Sequence, residues 1–291
     1  MFWLDVIQQQ PALIYLGAIL LGLIVGSFLN VLILRLPRIM EAGWLRECTE
    51  LQAQHQAAEP VEPLGLAFPP SQCPHCGHRI RLLENIPVIS YLLLRGRCTA
   101  CKGRISLRYP IIELVTAVLS VIVVWQFGPT WQSAAALVLT WGLVALAVID
   151  LDTQLLPDDM TQPLLWLGLI ANLAGLFTDI QSAVIGAAGG YLSLWTVAKL
   201  FRTLTGKEGM GHGDFKLFAL FGAWLGWQQL PQIILLSALT GALIGITMIA
   251  LKRRGREIPI PFGPYLAAAG WISLMWGGNL NQAYLSWSGL G

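Results

Sequence analysis

Residues 12–34 read ALIYLGAILLGLIVGSFLNVLIL, an apolar run without a charged side chain. A hydrocarbon core about 30 Å thick requires roughly 20 apolar residues per helix, so this run predicts a transmembrane helix. The run is longer than the apolar core of a signal peptide, and the preceding MFWLDVIQQQP has no basic residue. We therefore expect the first helix to be retained as a membrane span.

The remainder of the chain has the same character. Of its 291 residues, 55% are hydrophobic and only 12% are charged, and the mean hydropathy is +0.64, which excludes a soluble domain with a solvated surface. The sequence predicts an all-α fold, a polytopic membrane helix bundle of about eight transmembrane helices. The same length criterion places them at 12–34, 110–128, 131–149, 162–178, 181–202, 214–227 (the shortest), 231–251 and 261–278.

The basic residues predict how the bundle is oriented. Ten of the 18 Lys and Arg lie between Arg35 and Arg108, none lies in 109–198, and the rest fall in 199–216 and 252–256. Loops rich in Lys and Arg stay in the cytoplasm. Placing 35–109 in the cytoplasm puts both chain ends outside, and every basic loop then falls on the cytoplasmic side.

The polar segment 35–109 contains all five cysteines, and four of them form two CxxC pairs: Cys73-x2-Cys76 and Cys98-x2-Cys101. This spacing is typical of paired zinc knuckles, in which two turns supply a tetrahedral thiolate site. Two disulfides are the alternative, which the reducing cytoplasm disfavours. We predict a structural zinc ion that contributes to the folding of a small insertion.

Five further residues of the insertion, two glycines, two histidines and the remaining cysteine, bear on this prediction. Glycines at 77 and 103 follow the second cysteine of each pair, where we expect a turn with positive φ. His75 and His78 are possible alternative ligands, but four thiolates already complete the site, and Cys48 is expected to be a bystander. The predicted domains are the first transmembrane helix (1–34), the zinc-bound insertion (35–109) and the transmembrane core (110–291).

Ionisable side chains in or beside membrane helices are costly, and each is a candidate for function. Asp150 ends an apolar run, and Asp214 begins another directly after the glycine-rich loop at 209–213, so both should lie at the cytoplasmic edge. Two carboxyl groups at one depth can share a proton, as in aspartic peptidases. Alternatively, Asp214 is a helix N-cap and Asp150 an interfacial acid, or both serve a proton-coupled transporter. The other candidate acids are Glu113, Asp152, Asp158 and Asp159.

Two motifs surround these aspartates. GHGD at 211–214 matches a GxGD motif, and DLDTQLLPD at 150–158 places proline seven residues after its first aspartate. Through these motifs the chain resembles the type IV prepilin peptidases, which also process pseudopilins. The resemblance extends over nearly the whole chain and includes GSFLNV at 26–31, NIPVISY at 85–91, RYPIIE at 108–113 and IPFGP at 260–264.

The resemblance implies a catalytic dyad of Asp150 and Asp214, prepilin and pseudopilin substrates, and a location in the bacterial inner membrane with the dyad facing the cytoplasm. Long members of the family, which carry the cysteine insertion, also methylate the new N-terminal residue with S-adenosylmethionine. Glu113 and Asn30 are candidates for that second site or, alternatively, interhelical hydrogen-bonding residues. We expect contact with lipid and none with nucleic acid. A peptidase without methyltransferase activity and a zinc domain that docks a cytoplasmic partner are the further alternatives.

Overall fold

The computed structural model describes residues 11–52, 65–66, 68–251 and 261–288, and within them it contains no β-strand. The α-helices are α1 Pro11–Gln52, α2 Ile89–Leu93, α3 Arg108–Phe127, α4 Trp131–Thr153, α5 Asp158–Leu173, α6 Ile180–Thr205, α7 His212–Leu225, α8 Leu230–Ala250 and α9 Gly263–Ser288. The prediction of an all-α protein is confirmed.

Five of the described helices, α1, α3, α4, α6 and α8, are long and apolar enough to cross a membrane. The other three helices that lie over predicted spans do not meet that measure. Helices α5 and α7 have only 16 and 14 residues, and α9, with 26 residues, is not among the helices apolar enough by this measure. A helix enclosed by protein does not have to match the thickness of the hydrocarbon core. Helix α7 is enclosed in this way, because every residue from Leu217 to Trp224 is buried.

The first helix extends well beyond the predicted span 12–34. It has 42 residues and continues to Gln52, with Pro37 inside it. At 1.5 Å per residue its length is about 63 Å, roughly twice the hydrocarbon thickness. The added segment 35–52 includes Arg, Glu and Gln, which favour helix without being apolar, together with Leu and Met, which also favour helix. Hydropathy alone therefore missed this part of the helix.

The chain forms two compact units, Met1–Trp125 and Gln126–Gly291. In the first unit, α1 and α3 approach closely at two glycines. A Cβ added at Gly22 would lie 2.6 Å from the Cα of Ala117, and one added at Gly26 would lie 2.7 Å from the Cα of Glu113. The four-residue spacing puts both glycines on one face of α1, which is typical of packed membrane helices.

In the second unit, α6 and α7 make a similar contact. A Cβ at Gly186 would lie 2.5 Å from the carbonyl oxygen of Gly222, and a Cβ at Gly222 would in turn collide with the carbonyl of Gly186. The backbones of the two helices therefore touch at these positions. This contact places α7, which carries Asp214, in the interior of the unit.

A buried asparagine joins the end of α5 to the end of α7. The Asn172 amide nitrogen donates to the carbonyls of Ala223 and Trp224, both at 2.9 Å, and its oxygen accepts from the N–H groups of Phe177 and Thr178. These bonds also hold the turn that ends α5. The predicted span 162–178 consequently lies about four residues too late, because the helix occupies 158–173 and the apolar residues beyond it belong to this turn.

Candidate active site

Asp150 lies in the last turn of α4, three residues before the helix ends at Thr153. Its side chain is buried, with 5% of the residue exposed. Its Oδ2 accepts a hydrogen bond from the backbone N–H of Gly263, the first residue of α9, at an N-to-O distance of 3.0 Å. A residue 113 positions away along the chain thus orients this carboxylate.

Asp214 lies in the first turn of α7 and is also buried, with 8% of the residue exposed. Gly211 occupies the N-cap position, and the N–H of Asp214 donates to its carbonyl at 3.2 Å. The alternative that Asp214 is the N-cap is therefore wrong. The charge of Asp150 acts on its carboxyl group, and the preceding Gly213 lies against Leu156, which follows Asp150 in the chain.

Leu156, in the loop after α4, packs against the starts of α7 and α9. A Cβ added at Gly213 would lie 2.7 Å from the Cβ of Leu156, and one added at Gly263 would lie 3.3 Å from its Cδ1. The second glycine of the GHGD motif therefore has a steric role, because it permits the loop after Asp150 to approach the start of α7.

A salt bridge joins the same two segments at the surface. The Lys216 ammonium, on α7, donates to both carboxylate oxygens of Asp158, at 2.7 and 2.6 Å. Asp158 and Asp159 lie in the first turn of α5, where negative charge is favoured by the helix dipole. The sequence does not indicate this pairing, because Lys216 and Asp158 lie 58 residues apart along the chain.

The six candidate acids thus separate by environment. Asp152, Asp158 and Asp159 are exposed, and Glu113 belongs to the other unit. Asp150 and Asp214 are the two buried acids among these candidates in the second unit, and the charge of Asp150 acts on Asp214. Such a pair can share one proton, so that one group accepts a proton from water while the other donates one.

In the first unit, the four paired cysteines converge. The sulfur atoms of Cys73, Cys76, Cys98 and Cys101 all lie within 4.8 Å of one another, and the Sγ atoms of Cys73 and Cys101 are 3.9 Å apart. The cysteines are free thiols, so the disulfide alternative is contradicted. Tetrahedral zinc with Zn–S bonds of about 2.3 Å requires sulfur atoms roughly 3.8 Å apart. The cluster could hold such a metal.

Each CxxC pair forms a knuckle closed by backbone hydrogen bonds. The N–H of Cys73 donates to the carbonyl of His78, and the N–H of Cys98 donates to that of Gly103, both at 2.9 Å. Backbone N–H groups, chiefly that of Cys101, lower the pKa of the Cys98 thiol to about 6. This favours the thiolate, the form that binds metal, at Cys98, whereas the pKa of the Cys76 thiol in the same cluster is raised to about 11.

The prediction of a glycine with positive φ after each cysteine pair is correct for the first knuckle and wrong for the second. Gly77 has the expected positive φ of 69°, but in the second knuckle the positive φ of 61° belongs to Lys102. Gly103 serves a different purpose, since a Cβ there would lie 3.2 Å from the His75 ring. His78 is bound to Glu84 at 3.2 Å, so it is part of a hydrogen-bond network and not simply solvated.

Glu113 and Asn30 are both buried inside the first unit. The Glu113 carboxylate accepts from the N–H of Val88 at 2.7 Å, and the Asn30 amide donates to the carbonyls of Gly26 and Tyr109 at 3.3 and 3.1 Å. Val88 has a φ of 60°, which is rare for a β-branched residue. These contacts support the alternative in which Glu113 and Asn30 join neighbouring elements by hydrogen bonds.

Two family models match the chain. The model described as the bacterial peptidase A24 N-terminal domain matches residues 20–127, and the type IV leader peptidase family model matches residues 137–246. No solved structure matches the chain significantly.

Curated relatives are similar over nearly their whole length. Proteins named prepilin leader peptidase/N-methyltransferase from Pseudomonas aeruginosa, Aeromonas hydrophila and Legionella pneumophila are 55%, 52% and 46% identical to this chain. The alignments cover 98%, 97% and 97% of this chain and 98% of each relative. Identity at this level over the full length establishes the relationship, and the chain belongs to the type IV leader peptidase family.

Proposed function

We propose that this chain is an integral membrane aspartic endopeptidase that removes the basic leader of prepilins and pseudopilins, with Asp150 and Asp214 as its catalytic residues. The observation that carries the proposal is the burial of these two carboxyl groups, at the end of α4 and the start of α7, within electrostatic reach of each other. The names of the similar proteins support the substrate class, since they are called prepilin leader peptidases.

In the proposed mechanism, the ionised member of the pair takes a proton from water, which attacks the scissile carbonyl carbon. The protonated member donates a hydrogen bond to the carbonyl oxygen and then passes its proton toward the leaving amine. The peptide bond breaks and no covalent acyl-enzyme forms. Burial of both groups supports this chemistry, because electrostatic interactions strengthen where water is excluded.

We further propose that the dyad and the cysteine insertion face the cytoplasm and that the protein lies in the bacterial inner membrane. The confinement of Lys and Arg to alternate loops supports this orientation. A prepilin that leaves its basic leader in the cytoplasm and its apolar helix in the bilayer would present the scissile bond at the same edge. The proposed domains remain 1–34, 35–109 and 110–291.

The second proposed activity is methylation of the newly exposed N-terminal residue, with S-adenosylmethionine as the methyl donor. Its support is the word N-methyltransferase in the names of the relatives. Glu113 and Asn30 are occupied by hydrogen bonds within that unit. We therefore assign no residue to the methyl donor.

Both activities can be tested on one substrate. We expect the purified full-length chain in lipid nanodiscs to cleave a prepilin between its leader and its apolar helix, and to add one methyl group to the product when S-adenosylmethionine is present. Mass spectrometry of the intact product measures both events. Cleavage without the added methyl group would identify a peptidase alone. An uncleaved prepilin would exclude the proposed peptidase and favour the transporter, which proton uptake by proteoliposomes would reveal.

For the metal, we propose a structural zinc ion bound by Cys73, Cys76, Cys98 and Cys101. The mutual distances of the four sulfur atoms fit a tetrahedral site. Around such an ion, the two knuckles would be held together by four bonds in a segment that has little apolar core. The zinc would thus contribute folding free energy to the insertion.

Replacing a ligand should release this metal. We expect about one zinc ion per chain in the wild-type protein and none in Cys73→Ser or Cys98→Ser, since three thiolates leave the site open to water and exchange. Elemental analysis of the purified protein measures the loss, and faster proteolysis within 65–107 should accompany it. Cys48→Ser is the matched control, because Cys48 is exposed on α1 outside the cluster. A wild-type protein without zinc would disprove the site.

A further inference from the structure

The start of α9 provides a backbone donor to the active site. The N–H of Gly263 lies 3.0 Å from the Oδ2 of Asp150, and both residues are buried. Building on the proposed function, we infer that Gly263 is a positioning residue for the peptidase reaction. Its N–H fixes Oδ2 of Asp150, so that Oδ1 is the oxygen that exchanges protons with water and with Asp214.

The other N–H groups in the first turn of α9 are not available for this task. Those of Tyr265 and Leu266 both donate to the carbonyl of Phe262, at 3.1 Å. Pro264 has no N–H at all. The N–H of Gly263 is thus the donor that points outward from the start of the helix. This end of the helix is the positive end of its dipole, so a carboxylate is favoured beside it.

Glycine is also the residue that the geometry requires at this position. A Cβ added at Gly263 would lie 2.6 Å from the Oδ2 of Asp150 and 3.1 Å from its Cγ. Carbon and oxygen atoms do not approach this closely without displacement of one of them. Any side chain at 263 would therefore push the carboxylate away from the N–H that orients it.

The hydrogen bond distinguishes the two oxygens of Asp150. An amide N–H bonds most strongly to an ionised oxygen, so Oδ2 is kept as an acceptor. The proton that the pair shares is then favoured on Oδ1 or on Asp214. Positioning of this kind acts on the chemical step and leaves substrate binding unchanged, which predicts a lower kcat with an unaltered KM.

Two changes at 263 separate the hydrogen bond from the steric requirement. Gly263→Ala retains the N–H but displaces the carboxylate, whereas incorporation of glycolic acid at 263 by cell-free translation replaces the N–H by an ester oxygen and adds no side chain. We expect each to lower kcat for prepilin cleavage about 10- to 100-fold, the effect of losing a hydrogen bond to a charged group. KM should change less than about twofold. Gly278→Ala is the control, because it lies on the same helix with no atom within 4 Å of the added Cβ.

The outcomes distinguish this inference from the proposed function. If the ester form cleaves with the wild-type kcat, Gly263 does not act through its N–H and the inference is overturned, even if Gly263→Ala is slow. A rise in KM with unchanged kcat would also overturn it, because the residue would then serve substrate binding. If the wild-type chain does not cleave a prepilin, or if Asp150→Asn cleaves it at the normal rate, the result contradicts the proposed function itself.

Discussion

Asp150→Asn and Asp214→Asn should each abolish prepilin cleavage, with kcat reduced about 10²- to 10⁴-fold. Asparagine preserves the shape of aspartate but can neither accept a proton from water nor donate an acidic one. One member of the pair accepts a proton and the other donates one, so either substitution removes one of these two proton transfers. Each variant should therefore be as impaired as the double variant, because residues that act as a unit are not additive.

The measurement is the rate of leader removal by purified protein under single-turnover conditions, followed by gel shift or mass spectrometry. Asp159→Asn is the matched control, since Asp159 is exposed in the first turn of α5 close to the same motif. Unchanged thermal melting of all variants would confirm that they fold. Cleavage at the wild-type rate by either dyad variant would disprove the assignment of Asp150 and Asp214.

The length of the apolar runs was sufficient to predict where helices lie, but it determined neither where they end nor which of them are long and apolar enough to cross a membrane. Helix α1 continues to Gln52 through a segment whose Arg, Glu and Gln residues favour helix although they are polar. Helix α5 ends at Leu173, although apolar residues continue into the turn that Asn172 holds. In both places the helix boundary depends on hydrogen bonding and intrinsic propensity, which hydropathy does not measure.

The site could be predicted as far as it consists of side chains with recognisable chemistry. Asp150 and Asp214 could be singled out as candidates because each lies at the end of an apolar run and in a motif of the family, and the cysteines because their spacing is that of a knuckle. The bond from Gly263 could not be found, since it uses a backbone N–H from 113 residues away. The pairing of Lys216 with Asp158, 58 residues apart, has no sequence signal either.

Gly213→Ala is expected to have the second largest effect on catalysis. The added Cβ would lie 2.7 Å from the Cβ of Leu156 and 3.2 Å from its Cδ1. Atoms this close must move apart, so the start of α7 would shift relative to the loop that follows Asp150. Asp214 is the next residue in the chain, and it would move with the helix. A displacement of about 1 Å can cost roughly 10²-fold in rate, so we expect kcat to fall by about that factor.

The cost to folding should be smaller than the cost to activity, because overpacking by one methyl group typically destabilises a protein by about 1–3 kcal/mol. Gly189→Ala is the control, since a Cβ there, on α6, meets no atom within 4 Å. The double variant Gly213→Ala with Leu156→Gly removes both close contacts and should recover part of the lost rate. Measurements of prepilin cleavage and thermal melting on these three variants and on the wild type separate the effect on activity from the effect on stability. A Gly213→Ala protein with the wild-type kcat would show that this contact does not set the spacing of the dyad. If the double variant does not recover any of the lost rate, Gly213 is needed for its backbone conformation instead.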